Sequence, residues 1–138
     1  TPDGLQKFLT GVKGNTKNRL ISVFGCDGNR DVNKRPMMGR IAYDISDIAI
    51  PTHCHPRCED NMDVLNQVRT GFPDEEHVHV FADRVDAIKF ALSLAQPGDS
   101  VALAGLGHYR YVERNNQFLP YNDEDTVRVL LNLPKAEA

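Results

Sequence analysis

The amino-acid sequence predicts one α/β domain spanning residues 1–138, with a mostly parallel sheet, helices on both faces and a C-terminal hairpin. Short apolar runs rich in strand formers alternate with longer segments of helical periodicity, the signature of βαβ units with right-handed crossovers. Glycine-bearing polar turns follow some of these runs, as expected where parallel strands hand over to helices. A length of 138 residues suits a single core and is too short for a multidomain enzyme.

Thr1-Pro2-Asp3 opens the first helix, with threonine as N-cap, proline in the first turn and an acid at the positive end of the dipole. Leu5, Phe8, Leu9 and Val12 form its apolar stripe, and Gly14-Asn15 ends it. Leu20 to Phe24 is the first strand, an unbroken apolar run suited to burial on both faces. Pro36 opens a second helix with Met38, Ile41, Ala42 and Ile45 inward, and Ile48 to Ile50 is the second strand. Residues 60–70 place Met62, Leu65 and Val68 at helical spacing; Gly71-Phe72-Pro73 breaks that helix, and His77 to Phe81 reads as a third strand.

Asp83 to Ala95 is the clearest helix, with Ile88, Ala91, Leu92 and Ala95 inward, stopped by Gln96-Pro97-Gly98-Asp99. Val101 to Ala104 is the fourth strand. Tyr109 to Val112 and Gln117 to Leu119 pair around Asn115-Asn116, and Asp123 to Leu131 is a last helix with Val127, Leu130 and Leu131 inward. The order is Rossmann-like, and it gathers the turns after strands one, two and four along one carboxyl edge, the usual ligand crevice of such sheets.

A hydrophobic share of 41% with 25% charged residues is that of a soluble globular protein. The net charge of -3 supplies no basic field, so there is no specific nucleic-acid signal. No apolar run approaches the roughly 20 residues needed to span a bilayer, so no membrane association is expected. Three cysteines, an odd count, suit reduced thiols in a cytoplasm or, in a eukaryote, an organelle matrix or stroma. A start at Thr1 rather than Met leads us to expect a processed or excised piece of a longer chain.

The first turn runs from Gly25 to Pro36. Its glycines allow close backbone approach, and Arg30, Lys34 and Arg35 at a helix start favour an anion, with solvated loop charge as the competing reading. It contains neither a GxGxxG fingerprint nor a P-loop. The second turn, Thr52 to Asp60, holds His53, Cys54, His55 and Cys58, to which Cys26 and His108 could add. Adjacent His-Cys-His side chains cannot easily face one ion, so the spacing argues against zinc and no metal ligand is assigned. A nucleophilic Cys54 or Cys58 beside Arg57 lacks an identifiable orienting third group, and no catalytic residue is assigned either. The third turn, Gly105-Leu106-Gly107-His108, suits either a close-lying ligand or a tight turn with a hydrogen-bonded histidine.

These turns, in this order, resemble the C-terminal domain of the Mur ligases, the UDP-N-acetylmuramoyl-peptide ligases, and most of all the type that adds the third amino acid. The resemblance covers nearly the whole chain: Thr1-Pro2-Asp3, the turn Gly25 to Met38, the segment Cys54 to Asp60, Asp83 to Ile88, and Gly105 to Tyr109. It implies ATP-dependent ligation of an amino acid to a carboxyl group through an acyl phosphate. A P-loop central domain, in the same or another chain, would bind most of the ATP and magnesium; no cofactor is expected for this chain alone. The C-terminal domain closes over the site and holds the incoming amino acid, a role that maps onto Arg35, Cys54, His55, Pro56, Arg57, Gly105 and Tyr109, with Lys34 near phosphate. Arg35 and Arg57 are the carboxylate clamps, because a guanidinium binds a carboxylate bidentately.

Several positions depart from the family pattern. Cys54-His55 stands where the pattern has Asp-Asn, Leu106 where it has Lys, Tyr109 where it has Glu, and Asn29 and Val32 where it has Asp and Lys. An ammonium-bearing substrate side chain would lose acidic partners at positions 54 and 109. The expectation is therefore the amino-acid-binding lid domain of a Mur-type ligase, inactive on its own. The alternative is a non-catalytic structural or interaction subunit of a larger, organellar assembly.

Overall fold

The computed structural model describes residues 1–26, 31–55, 58–106 and 109–134, and its centre is β1 (Leu20–Cys26), buried at every position. β1 can be apolar throughout because β2 (Ile48–His53) and β3 (Ser100–Leu103) pair with it in parallel on either side, giving the order β2-β1-β3. Side chains alternate between two cores. Leu20, Phe24 and Cys26 meet α1 (Pro2–Gly14), α2 (Lys34–Ile45) and α3 (Asn61–Arg69) through Leu5, Leu9, Ala42, Val64 and Val68. Ile21 and Val23 meet α4 (Arg84–Leu94) through Ala87, Ile88 and Ala91, with Val127 and Leu130 of α5 (Asp123–Leu130) behind them. Each such fully buried aliphatic contributes on the order of 1.5–3 kcal/mol. The expected sheet with helices on both faces is the one observed.

The hairpin pairs β4 (Tyr111–Arg114) with β5 (Gln117–Pro120). Asn115 and Asn116 take φ of 50° and 61°, the left-handed pair that a two-residue turn between twisted strands requires.

Several details differ from the sequence reading, among them Phe8 and Ala95, expected inward but exposed, and the first hairpin strand, which begins at Tyr111 rather than Tyr109. α2 begins at Lys34, so Pro36 lies inside the first turn, where its missing N–H costs nothing. Residues 77–81 lie parallel to β2, with Ala49 N–H on His77 O, His79 N–H on Ala49 O and Phe81 N–H on Pro51 O, but they do not form a full strand. Pro51 has no N–H to donate back, which interrupts the ladder. Met62 points outward and Val64 takes the inner place, while Leu131, beyond the last turn of α5, is half exposed.

The amino edge of the sheet is closed by ion pairs. Arg19 Nε and Nη2 donate to Asp99 Oδ2 at 3.2 and 2.8 Å, and Arg19 N–H donates to Oδ1 at 2.9 Å. These bonds to Arg19 hold the Asp99 carboxyl at about 2, below its ordinary 3.8. A depressed carboxylate stabilises the fold above its unfolded value and loses that contribution as pH falls through its folded one. Lowering the pH from 4 to 2 should therefore reduce the thermal midpoint more in the wild type than in Asp99→Asn. Equal slopes by circular dichroism would contradict this assignment.

Candidate functional site

Because the three strands are parallel, Cys26, His53 and Leu103 end at one edge, and the turns that follow them converge there. A cavity of about 540 Å³ opens at this edge, walled by Gly25 and Cys26, by Asp31, Lys34, Arg35 and Met38, by Cys54 and Gly105, and by Thr1 and Pro2. Two glycines let the wall close. A Cβ on Gly25 would lie 2.5 Å from the Thr52 carbonyl oxygen, so β1 and β2 approach too closely there for any side chain. Gly105 has φ of 111°, and a Cβ on it would run into Cys54 Sγ.

Of the residues singled out from the sequence, Lys34, Arg35, Cys54 and Gly105 share this cavity. Lys34 is exposed at the start of α2. Arg35 is 2% exposed, and its Nη1 donates to Gln67 Oε1 at 2.6 Å while Nη2 donates to Glu59 Oε2 at 2.5 Å. The guanidinium thus joins α2 to α3 and to the end of the second turn. Pro56 and Arg57 lie outside the described residues, as do Asn29, Arg30 and His108.

His55 and Tyr109 come together beside the cavity rather than in its wall. His55 is buried, its Nδ1 accepts the Glu113 N–H at 3.0 Å, and its ring lies 5.6 Å from Tyr109 and 5.7 Å from Tyr111. Tyr109 and Tyr111 stack at 5.8 Å, with Phe118 edge-on to Tyr111 at 5.0 Å. Beneath them Cys54, Leu106 and Val112 form a small apolar cluster. Positions 54, 55, 106 and 109 therefore lie where the hairpin packs beside the cavity.

The thiols separate. Cys26 Sγ contacts Met38 Sδ at 3.4 Å, Cys54 is buried, and Cys58 is exposed 3.7 Å from Asn116 Oδ1. Among the described residues, no three His, Cys, Asp or Glu side chains converge as a metal-ligand set. Among the described residues, Arg84 places a cation against Cys54, its Nη1 lying 3.8 Å from Sγ.

Arg84 is the site's least legible component. Its side chain is fully buried and forks onto Asp123, with Nε to Oδ1 at 2.9 Å and Nη2 to Oδ2 at 2.8 Å. Burial is the largest single influence and opposes the charge, but the hydrogen bonds to Asp123 and the attraction of the surrounding acidic groups together hold the guanidinium above its ordinary range. His53 lies close by. Burial first, and then the Arg84 charge, push its imidazole below the ordinary value, while Nδ1–H donates to the Cys54 carbonyl at 2.9 Å. His53 is accordingly neutral at pH 7. The segment Asp83 to Ile88 includes Arg84 without showing its partner; Asp123, at the start of α5, carried no signal beyond its charge and its place at a helix start.

An open parallel sheet with a cation-bearing, glycine-closed crevice at its carboxyl edge defines an α/β domain with a candidate ligand crevice. Over residues 1–107 the chain matches the model described as Mur ligase, glutamate ligase domain, and it belongs to that family. The UDP-N-acetylmuramoyl-L-alanyl-D-glutamate--2,6-diaminopimelate ligase of Clostridium perfringens is 41% identical over 131 residues, 95% of this chain and 27% of that protein. The ligase of the same name from Trichormus variabilis is 40% identical over 95% of this chain and 26% of its own length. The chain thus spans about a quarter of these relatives. A solved structure of a ligase of that name superposes with a TM-score of 0.89 at 38% identity over 96% of this chain and 27% of its own. A folylpolyglutamate synthase from Thermotoga maritima, at 20% identity and a TM-score of 0.51, shares the fold. No helix among the described residues is long and apolar enough to cross a membrane.

Proposed function

We propose that this chain is the amino-acid-binding lid domain of an ATP-dependent acid–amino acid ligase and performs no ligation by itself. The observation that carries the reading is the cavity at the carboxyl edge, which Lys34 and Arg35 at the start of α2 line together with Cys54 and Gly105. Arg57 clamps the carboxylate of the incoming amino acid, and Arg35, oriented by Glu59 and Gln67, is the fixed second cation. Lys34 sits near phosphate. Among the described residues the wall offers one carboxylate, Asp31, and no P-loop, so nucleotide and magnesium belong chiefly to a central domain of the same protein. Bound there, they would supply the activation of the acceptor carboxyl group, while this domain orients the amine and excludes water. A cytoplasmic setting accords with the odd count of three cysteines.

Cys54 and Tyr109 present no carboxylate, so an amino acid with a second ammonium group binds more weakly than a neutral one. Calorimetric titration of the full-length protein with ATP–magnesium and a panel of amino acids tests both statements. The expected result is binding that weakens by about tenfold or more in Arg57→Ala, and a gain for diamino acids in the Cys54→Asp/Tyr109→Glu double variant. Absence of binding and of ADP release with every amino acid would overturn the ligase reading and favour a non-catalytic interaction module.

A further inference from the structure

Arg84 leaves the first turn of α4 yet serves the carboxyl edge. Its Nη1 donates to the His53 carbonyl at 2.9 Å and its Nη2 to the Ala104 carbonyl at 3.2 Å. Those are the residues from which the turns after β2 and β3 depart. Its partner Asp123 also accepts the Tyr121 hydroxyl at 2.9 Å, and the neighbouring Asn122 donates to the Tyr109 carbonyl at 2.9 Å, so the start of α5 is tied to the same place. Three separate segments therefore meet on one guanidinium.

A buried ion pair of this kind adds little net stability over an apolar pair of equal volume, because desolvation offsets the attraction. What a guanidinium adds is direction: donors fixed in one plane admit one arrangement of acceptors. We propose that Arg84 is a positioning residue for the amino-acid site, holding the turns after β2 and β3 at the spacing in which Cys54 and Gly105 form one cavity wall. For its ligand the inference rests on the ligase reading above; for its geometry it does not.

The test uses the full-length protein. Arg84→Met leaves Asp123 buried without its partner and lowers the thermal midpoint. Arg84→Met with Asp123→Leu removes both charges and restores the midpoint. In that double variant, amide hydrogen exchange in the turns after β2 and β3 is expected to quicken by about tenfold while β1 keeps its protection, and KM for the amino acid to rise by about tenfold with kcat nearly unchanged. Arg84→Lys, which keeps charge but loses the fork, is expected to fall between the two. A double variant whose exchange and KM return to wild type along with its midpoint would overturn the proposal. Should the double variant not fold, wild-type exchange in the turns of Arg84→Lys overturns it equally. If the wild type turns over no amino acid, the ligase reading fails, and the exchange rates still decide the positioning role.

Discussion

Asp123→Ala should lower the stability of the domain by about 3–5 kcal/mol, among the largest losses available to a single substitution here. Asp123 is 5% exposed and accepts both arms of the Arg84 fork and the Tyr121 hydroxyl. Removing it takes the paired carboxylate from a guanidinium with no exposed side-chain surface. The loss should appear in urea denaturation as a lower midpoint at unchanged slope. A loss of under about 1 kcal/mol would mean that the guanidinium finds other acceptors. Asp123→Asn, which keeps one oxygen and the shape, should fall between the two.

Gly105→Ala should cost about 2–4 kcal/mol, from two separable sources. A φ of 111° is strained for any residue with a Cβ, and the added methyl meets Cys54 Sγ. Combining it with Cys54→Ala removes the steric part and leaves the backbone part, so the double variant should recover some stability and never all of it. Full recovery would show that the backbone strain is negligible; a neutral Gly105→Ala would show that the turn can take another conformation. Because Gly105 lines the cavity, ligand affinity should fall with stability in the single variant and recover in part with it.

The scaffold was readable from residues 20–24, 48–50 and 101–104 because buried parallel strands leave continuous apolar runs, and the helices between them carry one apolar face. The segment at 77–81 reads as a strand by composition. Only the pairing partner, with proline at 51, shows why its ladder stays broken. At the site, the glycines and the Lys34-Arg35 pair announced a crevice through local chemistry. The commitment of Arg35 to Glu59 and Gln67 was invisible, since it joins residues 24 and 32 positions apart. Arg84 was hidden for the same reason, its carboxylate partner lying 39 positions downstream. Arginine looks alike in a sequence whether it faces a ligand or a neighbouring segment.

The central place of β1 also sets an order of assembly. Its pairing with β2 spans one short crossover through α2, whereas its pairing with β3 joins Leu20 to Ser100 and must wait for most of the chain. Closing so long a loop is entropically costly and slow, so the β1–α2–β2 half is expected to gain structure before β3 docks. The crevice needs the turns from both halves. A folding intermediate with β1 and β2 paired would already possess Lys34 and Arg35 and still have no pocket for them to serve, so competence to hold a ligand arrives only when β3 completes the parallel sheet.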